Sequence, residues 1–250
     1  MFHQLKSDGR WEGEIWDKRK NGEIYPRWMT ITSIKDEQQK IIQYVSIFSD
    51  ITDRKKNEEL INRLAFYDPL TELPNRRMLT DRLGQAIASN KRRAIYGAVM
   101  FLDLDKFKPL NDMHGHVVGD LLLIEVGRRI KSCIRETDTV ARFGGDEFVV
   151  MLSELNADEA KSRNEARIVA EKIRVSLAET YFLKSKDGST SESCVEHNCS
   201  SSIGVTLFNG HEEDQGVILR IPEQTGHAFH GKLDSHSRAN WTLIPRQTGQ

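Results

Sequence analysis

Apolar and polar positions alternate along much of the first fifty residues. Trp11-Glu-Gly-Glu-Ile-Trp16 carries apolar side chains between charged ones, Asn21-Gly22 is a hairpin turn dipeptide, and residues 25–31 and 41–48 are further strand-like runs. Three such runs in succession predict an antiparallel meander. Ser49-Asp-Ile-Thr52-Asp53 then offers helix-capping side chains, and Leu60, Ile61 and Leu64 set an apolar stripe at helical spacing on a charged connecting helix.

The pattern restarts near Phe66. Leu79, Leu83 and Ile87 recur every four residues behind Asn75, which predicts a helix, and Ala98-Val-Met-Phe-Leu102 is a continuous apolar run suited to a central strand. That strand ends in Asp103-Leu104-Asp105. Residues 106–116 read as a loop. From about Gly119 a helix presents Leu122, Leu123, Val126, Ile130 and Cys133 on one side. Two strands, 139–143 and 148–152, flank Gly144-Gly145-Asp146-Glu147 as a hairpin, Val169, Ile173 and Leu177 mark another helix, and Ser202–Phe208 is a further strand. Residues 184–198 read as a polar loop. In residues 221–250, Pro222, Gly226, Gly231 and Pro245 interrupt any period, which predicts a poorly ordered tail.

Composition narrows what this chain can be. Of its 250 residues 38% are hydrophobic, enough for a core, and no window offers the roughly 18 apolar residues of a membrane span, so no membrane insertion and a soluble, cytoplasmic chain are expected. With 36 basic and 37 acidic residues the net charge is -1, so no global field attracts nucleic acid, and phosphate chemistry would need a local site. Cys133, Cys194 and Cys199 form no C-x-x-C pair, which argues for a reducing compartment and against a disulfide scaffold or a zinc site.

The chemistry lies where an apolar strand delivers Asp103-Leu104-Asp105 and the hairpin tip delivers Asp146 and Glu147. Clustered carboxylates repel one another unless a cation lies between them, and hard oxygen donors suit Mg2+. Gly144 and Gly145 can take positive φ and let a nucleotide approach the backbone.

Arg142-Phe-Gly-Gly-Asp-Glu-Phe148 resembles the signature of the GGDEF family, the diguanylate cyclases. The blocks Asp68-Pro-Leu-Thr-Glu-Leu-Pro-Asn-Arg-Arg77, Asp103-Leu-Asp-Lys-Phe-Lys108, Asn111-Asp-Met-His-Gly-His-Val-Val-Gly-Asp120 and Ser202-Ile-Gly-Val205 resemble the family's other motifs in the same order. The likeness spans about residues 60–210. It implies an α/β (α+β) fold, a nucleotidyl-cyclase-like domain with a central mixed, largely antiparallel sheet flanked by helices. It implies an enzyme that condenses two GTP molecules into cyclic di-GMP and two pyrophosphates as a homodimer. Asp103, the Leu104 carbonyl, Asp146 and Glu147 would hold two Mg2+ per active site, with Mn2+ as a substitute, and Asp146 and Glu147 would serve catalysis. Asn111 and Asp120 would contact guanine, with His116, Lys108, Gly144 and Gly145 completing the substrate pocket. Taken on their own, Asn111 reads as a loop cap and Asp120 as a helix N-cap.

Arg135-Glu-Thr-Asp138 resembles the family's inhibitory product site, where Arg135 and Asp138 would grip cyclic di-GMP; alone it reads as an i, i+3 surface ion pair. Residues 11–26 and 44–55 resemble the C-terminal half of a PAS sensor domain. The resulting organisation is a partial PAS/PAC unit (1–53), a signalling helix (54–66), the cyclase domain (67–220) and an atypical tail (221–250). The family's closing helix and strand are poorly matched here, with Lys232 and Arg238 as loose stand-ins for its Lys and Arg. That departure keeps a second reading open, a catalytically impaired cyclic di-GMP-binding module.

Overall fold

The computed structural model describes residues 2–186, 192–209, 218–219 and 242–244. The chain divides into two units, Met1–Leu64 and Ala65–Gln250.

In the first unit a short helix, α1 (Phe2–Ser7), precedes three strands, β1 (Arg10–Lys18), β2 (Ile24–Lys35) and β3 (Ile41–Asp50), paired antiparallel in that order. This is the expected meander. Helix α2 (Thr52–Phe66) follows directly, and the Asp50 carboxylate accepts the Thr52 amide at 2.9 Å and its hydroxyl at 2.6 Å. Those two bonds, with the Arg19 guanidinium, hold the Asp50 carboxyl down to about 2. Leu60, Ile61 and Leu64 are exposed on α2, which buries none of its residues.

The second unit is a five-stranded sheet with helices on both faces. Its helices and strands run α3 (Arg76–Arg93), β4 (Gly97–Leu104), α4 (Phe107–His114), α5 (His116–Cys133), β5 (Thr139–Gly144), β6 (Glu147–Leu152), α6 (Glu159–Ala178), β7 (Tyr181–Lys186), β8 (Glu192–His197), β9 (Ser201–Phe208) and β10 (Thr242–Ile244). The sheet order is β10-β9-β4-β6-β5, and each described pairing is antiparallel, so the mixed component expected of the sheet is not seen among the described residues. β4 lies at its centre, buried on both faces, which explains its unbroken apolar run.

Alternation along the central strands splits the core in two. Ala98, Met100, Leu102, Phe148, Val150 and Leu152 face α5 and α6, where Leu122, Val126, Ile130, Ala170, Ile173 and Leu177 meet them. Val99, Phe101, Val149 and Met151 face the other way, against Leu79, Leu83 and Ala86 of α3. Each fully buried Leu, Ile or Phe contributes about 2 kcal/mol of apolar burial. Asn75 caps α3 as expected, its side chain accepting the Met78 amide at 3.1 Å.

Three expectations change. Residues 107–114 form α4 where a loop is predicted. Residues 184–198 hold most of a two-stranded hairpin, β7 paired with β8, where a polar loop is predicted. Asp120 is not an N-cap, because α5 begins at His116 with Gly115 before it. Within the atypical tail, Thr242–Ile244 pair with Ile203–Val205 as an edge strand; the remainder of 221–250 lies outside the described residues.

Candidate active site

β4 and β6 end beside each other at one edge of the sheet. Asp103 is the direct cross-strand partner of Glu147 on one side and of Ser202 on the other, which places three polar side chains in one row on the sheet face that otherwise carries Phe101 and Val149. Side chains directly opposite in an antiparallel pair have Cβ atoms about 5 Å apart, close enough for two carboxylates to share a cation. Asp103 is half-buried and Glu147 exposed. The Leu104 backbone follows at the strand end, and Asp146 is half-buried in the turn before β6. Among the described residues no three His, Cys, Asp or Glu side chains already converge as a metal-holding group. Two neighbouring carboxylates, a carbonyl and a third carboxylate on an open turn nevertheless suit a cation that keeps waters and substrate phosphates in its shell. The second carboxylate of the strand end, Asp105, is engaged elsewhere, accepting the Ser200 hydroxyl at 2.6 Å.

The hairpin turn is built from glycine and held by one arginine. Gly144 (φ 147°) and Gly145 (φ 52°) lie in backbone regions that side chains disfavour, and open space surrounds the position of a Cβ on either. Arg142 Nη1 donates to both Asp68 oxygens at 2.9 and 3.0 Å, while its Nε and Nη2 donate to the Gly145 carbonyl at 3.0 and 2.8 Å. The Asp68 carboxylate also accepts the Thr71 amide and hydroxyl at 2.8 and 2.6 Å. Burial pushes the Asp68 carboxyl up, but the Thr71 and Arg142 bonds outweigh it and hold the group below the ordinary carboxylate value. The Asp68 block thus reaches the glycine turn through the Arg142 guanidinium, and the Arg142 amide donates to the Pro74 carbonyl of the same block at 3.0 Å. Both blocks stand out in the sequence, but nothing there joins them, since the two residues are 74 positions apart.

A second group sits on α4 and α5. The Gly115 turn (φ 80°) folds the helices together, and Asn111 comes to lie against Gly119, with Asp120 next in the chain and exposed. Lys108 and His116 are exposed on the same two helices. Lys106, just before α4, adopts φ 64°, a strained conformation for a lysine at the edge of this group.

Arg135 and Asp138 stand apart from both. They precede β5, whose far end is Gly144, so about 20 Å of extended chain separates them from the turn. The Asp138 carboxylate accepts the backbone amides of Arg135 at 3.0 Å and Ser153 at 3.4 Å, while the Arg135 side chain is exposed. Asp138 therefore holds the turn whatever else it binds. Lys232 and Arg238 lie outside the described residues.

Residues 65–224 match the family described as diguanylate cyclase, GGDEF domain. The bifunctional diguanylate cyclase/cyclic di-GMP phosphodiesterase MucR of Pseudomonas aeruginosa is 44% identical over 165 residues, covering 66% of this chain and 22% of MucR. The crystal structure of the GGDEF domain of TpbB (YfiN) from the same organism superposes with a TM-score of 0.53 at 34% identity, covering 62% of this chain and 88% of that one. The coiled coil and GGDEF domain of DgcB from Caulobacter crescentus, in complex with c-di-GMP, superposes with a TM-score of 0.54 at 25% identity, covering 65% and 80% of the two chains. This chain spans a third or less of the length of the curated relatives MucR and TpbB. With an antiparallel sheet, a glycine turn carrying Asp146 and Glu147, and a match over residues 65–224, the chain belongs to the GGDEF family of diguanylate cyclase domains.

Proposed function

We propose that residues 65–224 condense two GTP molecules into cyclic di-GMP and two pyrophosphates. The observation that carries this reading is the Asp103–Glu147 cross-strand pair beside an open Gly144-Gly145 turn. Asp103, Asp146, Glu147 and the Leu104 carbonyl would hold two Mg2+ ions. When bound, such cations polarise the α-phosphate, lower the pKa of the attacking ribose 3′-hydroxyl and neutralise the departing pyrophosphate. Either Asp146 or Glu147 accepts the hydroxyl proton. Gly144 and Gly145, lacking side chains, leave room for phosphate oxygens against the backbone, and Lys108 offsets their charge. Asn111 and Asp120 bond the guanine edge, with His116 at the mouth of that pocket. A carboxylate accepts hydrogen bonds only, so Asp120 selects the N–H donors of guanine over adenine.

The product is two-fold symmetric and each domain holds one GTP, so turnover needs a homodimer at least transiently. GTP as substrate fits a cytoplasmic location, and no described helix is long and apolar enough to cross a membrane. Arg135 and Asp138 form the product-binding site that feeds back on turnover. The poor match of residues 221–250 to the family's closing helix and strand favours a second reading, in which this site binds cyclic di-GMP although the chain does not make it. The three-stranded sheet of the first unit is the remnant of a PAS sensor, and α2 passes its state onward. The test is GTP turnover by the full chain with Mg2+, with excess EDTA, and by Asp103→Asn. Loss of turnover in the second and third arms supports the site; unchanged turnover by Asp103→Asn rejects it.

A further inference from the structure

We infer that Gly119 is a positioning residue for nucleotide binding: its missing side chain is the space in which the Asn111 carboxamide lies. The inference rests on the reading of Asn111 as a guanine contact. A Cβ on Gly119 would stand 1.9 Å from Asn111 Oδ1 and 2.9 Å from its Cγ, far inside van der Waals contact. Asn111 Oδ1 is itself buried against this spot with no hydrogen-bond partner. A buried carbonyl oxygen that bonds nothing is costly, so something else fixes its place. Two features of the fold do so. The Gly115 turn brings α4 and α5 together, with the Gly115 amide donating to the Asn111 backbone carbonyl at 2.9 Å. The side-chain oxygen also lies over Gly119 near the start of α5, the positive end of that helix, where the N-cap residue Gly115 supplies no side-chain cap. The oxygen is the carboxamide atom nearest Gly119, with the amide nitrogen farther off at 3.3 Å from the same point, and on this inference that nitrogen is the atom offered to the base.

Glycine is otherwise a poor choice for this position. It lies inside α5, where alanine is the stronger helix former, and its φ is not positive. Neither backbone conformation nor helix propensity calls for it, and the carboxamide does. Any side chain at 119 pushes Asn111 out of its place and takes the base contact with it.

The experiment is a double-mutant cycle on the full chain. Binding of α,β-methylene GTP, which cannot release pyrophosphate, is measured by calorimetry for wild type, Asn111→Ala, Gly119→Ala and the double variant, and thermal unfolding is followed for all four. Asn111→Ala is expected to weaken binding about tenfold, as loss of one hydrogen bond to a buried ligand group does. Gly119→Ala is expected to weaken it to a similar extent, and the double variant to be no more than about twofold weaker than Asn111→Ala, because contacting residues are not additive. Gly119→Ala should lower the melting temperature of the wild type and raise it in the Asn111→Ala background, where the clash is gone. Unaltered binding by Asn111→Ala overturns the guanine reading itself. Weakened binding by Asn111→Ala with normal binding by Gly119→Ala overturns only the positioning role. So does an equal melting loss in both backgrounds, which also covers a Gly119→Ala chain that folds poorly.

Discussion

The guanidinium of Arg142 grips both oxygens of the Asp68 carboxylate, at 2.9 and 3.0 Å, while its remaining nitrogens hold the Gly145 carbonyl. The segment entering the cyclase domain is therefore mechanically tied to the turn that carries Asp146 and Glu147. Both side chains are mostly buried, at 11% and 15% exposure, so solvent screens the pair little.

Arg142→Lys keeps the charge but not the planar fork, and a lysine cannot bond Asp68 and Gly145 together. The variant should lose roughly 2 kcal/mol of stability and at least about tenfold in turnover. Denaturant unfolding and GTP turnover check the two parts separately.

The same pair sets a pH dependence. Because the folded Asp68 carboxyl titrates below its ordinary value of 3.8, the unfolded chain binds more protons in the interval between the two values, and stability rises with pH there. The contribution is complete above that ordinary value and disappears as pH falls through the lower folded one. Asp68→Asn should therefore flatten the acid limb of stability against pH below about 4, and be less stable than wild type at pH 7. Urea midpoints from pH 2.5 to 7 give the comparison; parallel curves would contradict it.

At Gly145, φ is 52° and no atom lies within 4 Å of where a methyl group would stand, so substitution acts through the backbone alone. Gly145→Ala should cost about 1–2 kcal/mol, Gly145→Asn less, because asparagine tolerates the left-handed region. A valine there should be worse than alanine. Melting temperatures of the three variants order the effect.

Arg135 and Asp138 should separate under mutation. Arg135→Ala leaves the turn intact, since Asp138 bonds the backbone rather than the guanidinium. It should relieve inhibition by added cyclic di-GMP at least about tenfold with initial turnover near wild type. Asp138→Ala should in addition destabilise the chain by about 1 kcal/mol through two unpaired amides. Inhibition curves and melting temperatures distinguish the two roles.

Much of this architecture is legible in the sequence, and the gaps have physical causes. The unbroken run at 98–102 announces a strand buried on both faces, and the Gly144-Gly145 tip announces its hairpin. Helix α4 is not legible because it starts without a capping side chain, at Lys106 in the left-handed region, and carries Pro109. That proline falls in the first turn, where its missing N–H costs nothing. The β7–β8 hairpin escapes notice because only Tyr181, Leu183 and Val195 of its described side chains point into the core, too few to set a period of two. Within the site, Asp103 and Glu147 are each visible as strand-end acids, while their pairing depends on the β4–β6 register. The Asp68–Arg142 bond is of the same kind, a contact that only the folded chain creates.

Whether this chain makes cyclic di-GMP at the Asp146–Glu147 turn is decided by mass spectrometry of the product after incubating the full chain with GTP and Mg2+, with the Asp146→Ala, Glu147→Ala double variant as control. Product is expected from the wild type and none from the double variant. Equal product from both would contradict the assignment of the site, and no product from folded wild type would contradict the cyclase itself.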